Sequence, residues 1–252
     1  MQLHKELPLQ AFDYYRKYCL YTALLIVASM IFFSILYASI YVRLHLMPIH
    51  LIMPIHHNVI VLPRDLEEYF RFLMLVSIPI SVIFSFIGIF IILFYLRRAF
   101  IILLEFKRDR YYSPYLLSTI GYILGYILAP IALYVIFSLM INLFKIHGFF
   151  TILDLISSIS IIIVIITSMI SSIVGVIGEY LLLSRLGEDI KNEALNLYGI
   201  LLIVGRIGVQ LIIPLLVYLL IYFEMKKIIN IGKRRLELIE SLERLNPVKY
   251  LG

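Results

Sequence analysis

The residue with the most distinctive chemistry is Arg206, a single cation inside an apolar stretch from Leu197 to Phe223. A charge at the centre of a bilayer costs about 2.5–3.5 kcal/mol on insertion scales, so such a residue usually faces a polar interior and often serves function. We therefore expect Arg206 to line a pore or contact a substrate. The alternative is a structural ion pair with Glu179 or Asp154, which we retain as further pore or substrate candidates.

A second group of candidates lies in a histidine-rich segment. A Met-Pro-Ile-His sequence ends at His50, recurs six residues later to end at His56, and is followed by His57. Imidazole and thioether ligands together suit copper, and histidine also titrates near neutral pH. These residues are weak candidates for metal binding or proton sensing, and a loop at the membrane surface is the preferred interpretation because two prolines interrupt any regular helix.

Small residues in two apolar regions are spaced for helix packing. Where lipid offers no hydrophobic drive, small side chains let helix backbones approach closely. One pair has GxxxG spacing, and the other set recurs every three or four residues along one helical face. These predicted packing residues are Gly121 and Gly125 in the first set, and Ser168, Ser171, Gly175 and Gly178 in the second.

The composition requires lipid as the solvent for much of the chain. Hydrophobic residues make up 62% of the 252 residues and charged residues only 15%, whereas soluble domains are about 45–50% apolar and about 25% charged. A soluble fold of this size could not bury so much apolar surface. Tyrosine, with 19 copies and no tryptophan, would supply any aromatic belt. The single cysteine excludes an internal disulfide.

The hydropathy pattern predicts an all-α, polytopic transmembrane helical bundle with no soluble domain. Residues 1–223 would form the bundle, and residues 224–252 a basic amphipathic tail helix on the cytoplasmic side. Five regions are long and apolar enough to predict membrane passes. They are Tyr18–Val42, Phe72–Leu96, Tyr115–Phe144, Phe149–Leu183 and Leu197–Phe223.

Lysine and arginine counts favour an even number of passes. Five simple crossings would place 10 basic residues on one side of the membrane and 11 on the other. With such equal counts, the positive-inside rule gives no orientation of the chain in the membrane. If residues 149–186 enter and leave on one side, the count becomes 15 against 6, and if the histidine segment crosses instead, it is 13 against 8. We therefore expect six passes in the cell membrane, with both termini cytoplasmic.

No enzyme signature such as GxxxxGK[ST], HExxH or GxSxG occurs in the chain, and no cofactor is expected. The leading hypothesis is a non-enzymatic channel, translocation or transporter subunit that works with partner proteins or as a homo-oligomer. A DNA- or protein-transfer pore is one alternative, with nucleic acid as a weakly supported partner. A structural or assembly protein and a membrane-embedded enzyme on lipid substrates are the others. Basic groups at residues 97–110 and 226–235 suit anionic lipid.

Overall fold

The computed structural model describes residues 9–46, 55–56, 59–60, 64–143, 152–207 and 212–245, and nearly all of them are helical. A two-residue antiparallel ladder pairs β1 (Ile55–His56) with β2 (Val59–Ile60). The helices, in chain order, are α1 (Leu9–Leu46), α2 (Arg64–Ile91), α3 (Arg97–Phe106), α4 (Arg108–Leu143), α5 (Ile152–Ile190), α6 (Glu193–Ile207) and α7 (Ile212–Leu245).

Helices α2 and α3 form one continuous helical path, because a π-helical turn over Ile92–Leu96 joins them without a loop. The path ends at Lys107, whose extended backbone separates α3 from α4. Asp109 lies in the first turn of α4, where an acid interacts favourably with the helix dipole. Helices α3 and α4 are therefore joined by a very short turn with charged residues around it.

Among the described residues, four helical segments are long and apolar enough to cross a membrane. They are Leu9–Val42, Arg71–Phe106, Arg108–Ser138 and Ile162–Ile190. The chain is thus an α-helical, multispanning membrane protein, while the expected count of five regions and six passes is not confirmed. The four segments contain 29 to 36 residues, more than the roughly 20 that a helix needs to cross the hydrocarbon core.

The fifth apolar region differs from the expected continuous span. Between Leu197 and Phe223 the chain forms two helices, α6 and α7, that pack against each other. Gly205 on α6 makes this possible, because a Cβ there would approach Ile213 and Pro214 within 2.8 Å. Helix α7 then continues without a break past residue 223 to Leu245, so the tail is a direct extension of the second hairpin helix.

The chain divides into two compact units. The first unit comprises Met1–Ala23, Ile91–Leu116 and Glu179–Gly252, and the second comprises Leu24–Phe90 and Leu117–Gly178. Each of the four candidate spans contributes one end to the first unit.

The first unit has a densely buried core. Buried residues follow heptad-like spacing on α1, α5 and α7, which is the pattern of helices that pack side by side. Aromatic and branched side chains fill this core, and several are completely inaccessible. Its most deeply buried members are Phe12, Tyr15, Ile92, Leu96, Phe100, Leu103, Tyr111, Leu182, Leu183, Leu186, Leu195 and Leu202.

Among the described residues, the second unit has fewer large side chains that are fully buried. One of its cores centres on Leu73 and Phe137, with partly buried neighbours from α1 and α2 around them. Tyr69 from α2 also donates a hydrogen bond to Ser39 of α1, at 2.9 Å. Large side chains elsewhere in the unit remain exposed in the isolated chain, including Leu75 at 72%. Such a surface fits a lipid environment.

Candidate functional site

The carboxylate of Glu179 is completely buried on α5. Tyr15 donates a hydrogen bond to its Oε1 at 2.7 Å. Tyr218 and Tyr18 donate to Oε2, at 2.8 Å and 3.4 Å respectively. We refer to these four residues as the Glu179 cluster. Three phenol donors directed at one carboxylate provide the hydrogen bonds that a buried carboxylate requires.

Helical periodicity explains why the three tyrosines converge on Glu179. Tyr15 and Tyr18 are three residues apart, so they lie on the same face of α1, and their rings stack with centroids 5.7 Å apart. Tyr218 lies on the buried face of α7, and its ring meets that of Tyr18 edge-on at 6.0 Å. The cluster therefore joins α1, α5 and α7 within the first unit.

A second polar group surrounds the short turn between α3 and α4. The Asp189 carboxylate pairs with Lys107 at 2.8 Å and accepts a hydrogen bond from the Tyr111 hydroxyl at 2.6 Å. Arg110 pairs with Glu188, and Arg185 donates to the backbone carbonyl of Arg110. We call this group the charged turn cluster. Its ion pairs and hydrogen bonds connect the turn between α3 and α4 to the C-terminal end of α5.

Arg206 is placed differently from a mid-span charge. It lies in the last turn of α6 and is exposed, whereas Glu179 is fully buried. A cation in the last turn of a helix interacts favourably with the terminal carbonyls. The interruption of the Leu197–Phe223 stretch therefore places Arg206 beside a helix end instead of at the centre of a continuous helix.

The structure describes the other predicted site residues only in part. Asp154 lies in the first turn of α5, but its side chain is outside the described part. His56 lies in β1, its side chain is likewise outside the described part, and His50 and His57 lie outside the described residues. Within the described residues, no group of three His, Cys, Asp or Glu side chains is arranged to hold a metal ion.

The predicted packing residues face each other across α4 and α5. A Cβ on Gly121 would come within 2.3 Å of the Gly175 backbone nitrogen, and one on Gly178 would come equally close to that of Ser118. A Cβ on Gly125 would lie 3.6 Å from Ser172, an ordinary contact. Ser171 is buried and bonds its own helix, donating to the Thr167 carbonyl at 2.8 Å. Ser168 is half-buried on the same helix.

Sequence reasoning identified Glu179 but not its hydrogen-bond donors. The available signal was Tyr15 and Tyr18 at helical spacing, together with a buried tyrosine in the last apolar region. Tyrosine was assigned to membrane interfaces in general, because nothing in the pattern indicates which phenols face a carboxylate on a distant helix. The partners of Asp189 were missed for the same reason.

The fold and these polar clusters define an integral membrane protein made of several long apolar helices with a charged, tyrosine-rich helical end. No family model matches the chain, and no curated protein or solved structure shows significant similarity to it.

Proposed function

We propose that the protein is a non-enzymatic subunit of a transport or translocation complex. In this proposal the hairpin formed by α6 and α7 lines part of the pathway that the transported substrate takes through the membrane. The observation that carries this proposal is the hairpin itself, an apolar helical pair with an exposed arginine near its turn. Broken helices of this kind border substrate sites in transporters.

The hairpin has the dimensions and surface of a re-entrant element. Helix α6 has 15 residues, which corresponds to about 22 Å, less than the roughly 30 Å of the hydrocarbon core. Apart from Glu193, Asn196 and Arg206, the exposed side chains of α6 are apolar, and so are those of α7 up to Phe223. They are Leu197, Ile200, Val204, Ile212, Leu216, Leu220 and Phe223. At its base, Asn192 donates to Glu224 at 2.8 Å. The hairpin would therefore enter the bilayer and return to the same side.

The charge distribution supports this topology. With four crossings and a re-entrant hairpin, 17 of the 22 Lys and Arg residues fall on the side of the two termini and four on the other side, while Arg206 lies within the hairpin. Basic residues concentrate on the cytoplasmic side of membrane proteins. We therefore place both termini in the cytoplasm of a cell-membrane protein.

The test is ion conductance of the purified protein in planar bilayers bathed in potassium chloride. We expect Arg206→Gln to reduce conductance or shift the anion-to-cation selectivity several-fold, because it removes the charge nearest the hairpin turn. Lys191→Gln is the matched control, since Lys191 is exposed at the opposite end of α6. A properly folded Arg206→Gln variant that conducts as the wild type does would contradict the role of the hairpin.

A structural or assembly role is the second candidate, favoured by the Glu179 cluster. Three tyrosines supply the carboxylate with donors, so its burial is explained without any substrate. Under this alternative neither the wild type nor its complex with co-purified partners conducts ions. A tag placed after residue 252 would recover that complex in mild detergent.

A further inference from the structure

We propose that a groove between α1 and α7 in the first unit binds the phosphate headgroup of an anionic membrane lipid. The groove has a volume of about 440 Å³. Both helices contribute basic and apolar side chains to its walls. The lining residues are Leu9, Gln10, Asp13, Tyr14 and Lys17 from α1, with Ile229 and Lys233 from α7.

Close backbone packing fixes one end of the groove. Gly232 of α7 lies against Leu9, and a Cβ at residue 232 would approach the Leu9 side chain within 2.5 Å. A buried residue, Ile229, lies one turn earlier on α7. The walls are therefore parts of two packed helices, which hold the cationic groups at a defined separation.

Two lysines line the groove, and a third cation, Arg98, lies beside the ring of the lining residue Tyr14. Lys17 pairs with Asp13 at 2.8 Å, and Asp13 also binds Arg16 at 2.7 Å, which fixes the position of the Lys17 ammonium group. Lys233 is exposed and has no ion pair with any described residue. Arg98 lies 5.8 Å from the centre of the Tyr14 ring, close to the 5.9 Å of Lys17. Lys17, Lys233 and Arg98 outweigh Asp13 by two positive charges.

The position of these cations along the chain selects a lipid phosphate. Lys17 immediately precedes the apolar region that begins at Tyr18, and Arg98 follows the one that ends at Leu96. Both cations therefore lie where an apolar helix leaves the hydrocarbon, which is the depth of lipid headgroups. The Tyr14 ring between them matches the aromatic residues found at that depth. Basic pockets at this level bind anionic headgroups.

The experiment measures lipid retained by the full-length protein in micelles with equal amounts of phosphatidylglycerol and phosphatidylcholine. Intact protein–lipid complexes would be counted by mass spectrometry. We expect the wild type to retain phosphatidylglycerol selectively. The double variant Lys17→Gln, Lys233→Gln should retain roughly 10- to 30-fold less, because it removes both of the lysine–phosphate ion pairs that the groove would provide.

The control is a second double variant, Lys226→Gln and Lys227→Gln, which removes the same charge from exposed positions of α7 outside the groove. It should retain phosphatidylglycerol within about twofold of the wild type. An equal loss in both double variants would indicate general surface attraction and overturn the site. Unchanged retention in the groove variant would overturn it as well.

Two further measurements address folding and the source of the phosphate. Arg98→Gln leaves the contact between α1 and α7 intact, so it should lower retention several-fold even if the double variant misfolds. Unchanged retention in Arg98→Gln would contradict the proposal. An excess of inorganic phosphate should not displace the lipid, and complete displacement would show a site for free phosphate instead.

Discussion

In the first unit the buried core contains a carboxylate and several phenols, whereas in the second unit the tightest contacts join glycine and serine backbones. The first unit also contains 18 of the 22 Lys and Arg residues, and the second contains four. Water can solvate charged helix ends. Within lipid, no hydrophobic force drives helices together, so close contact between helices depends on small residues. Each unit is therefore stabilised internally by a different kind of interaction. Substitutions made in one unit at a time can test this difference.

The largest effect is expected from removing the buried acceptor in the first unit. Glu179→Ala deprives Tyr15, Tyr18 and Tyr218 of a shared hydrogen-bond acceptor, and each unsatisfied buried donor costs about 1–3 kcal/mol. Because the packing partly relaxes, we expect a loss of about 3–5 kcal/mol in the free energy of unfolding. The measurement is unfolding in mixed detergent micelles followed by circular dichroism.

Glu105 provides the control for this experiment. It is exposed on α3 in the same unit, so Glu105→Ala should change the free energy of unfolding by less than about 0.5 kcal/mol. Equal stability of the Glu179→Ala variant and the wild type would mean that the phenols find other acceptors. The hydrogen bonds to Glu179 would then not distinguish the first unit from the second.

A smaller loss is expected from widening a glycine contact in the second unit. Gly121→Ala places a methyl group 2.3 Å from the Gly175 backbone nitrogen, and backbone atoms cannot rotate away as a side chain can. Overpacking of this kind costs about 1–3 kcal/mol. Gly125→Ala on the same helix is the matched control, because the nearest atom is 3.6 Å away and alanine favours helix by about 0.8–1 kcal/mol.

The comparison of these two variants tests the packing directly. Thermal unfolding in a nonionic detergent should give a lower midpoint for Gly121→Ala and an unchanged or higher midpoint for Gly125→Ala. The same midpoint for both would show that α4 and α5 can separate without cost, and the distinction between the two units would then fail.

The sequence predicted the membrane class and the all-helical fold, because both can be recognised from composition and from helical periodicity over short stretches of the chain. It did not predict the turn between α6 and α7. Hydropathy is uniform from Leu197 to Val204 and again from Leu211, so a hairpin and a straight span look alike. Contacts between distant residues distinguish them, including that of Gly205 with Pro214 and the hydrogen bond from Asn192 to Glu224.

The site was less predictable than the fold for a related reason. Glu179 stands out because it is an acid at the end of an apolar region, but its donors Tyr15 and Tyr218 are 164 and 39 residues away. One sequence contains no information on which helices become neighbours. In the same way, hydropathy alone does not show that Arg206 lies in the last turn of a helix.

The smallest expected effect concerns the charged turn cluster of the first unit. The Asp189 side chain is 10% exposed and pairs with the more exposed Lys107, so salt should partly screen this interaction. We expect Asp189→Asn to lower the free energy of unfolding by about 0.5–1 kcal/mol at low salt and by less at 1 M salt. Exposed Glu105→Gln should show no comparable salt dependence. If Gly121→Ala instead proved as salt-sensitive as Asp189→Asn, electrostatic forces would act equally in both units, since a steric contact between backbones has no reason to respond to ions.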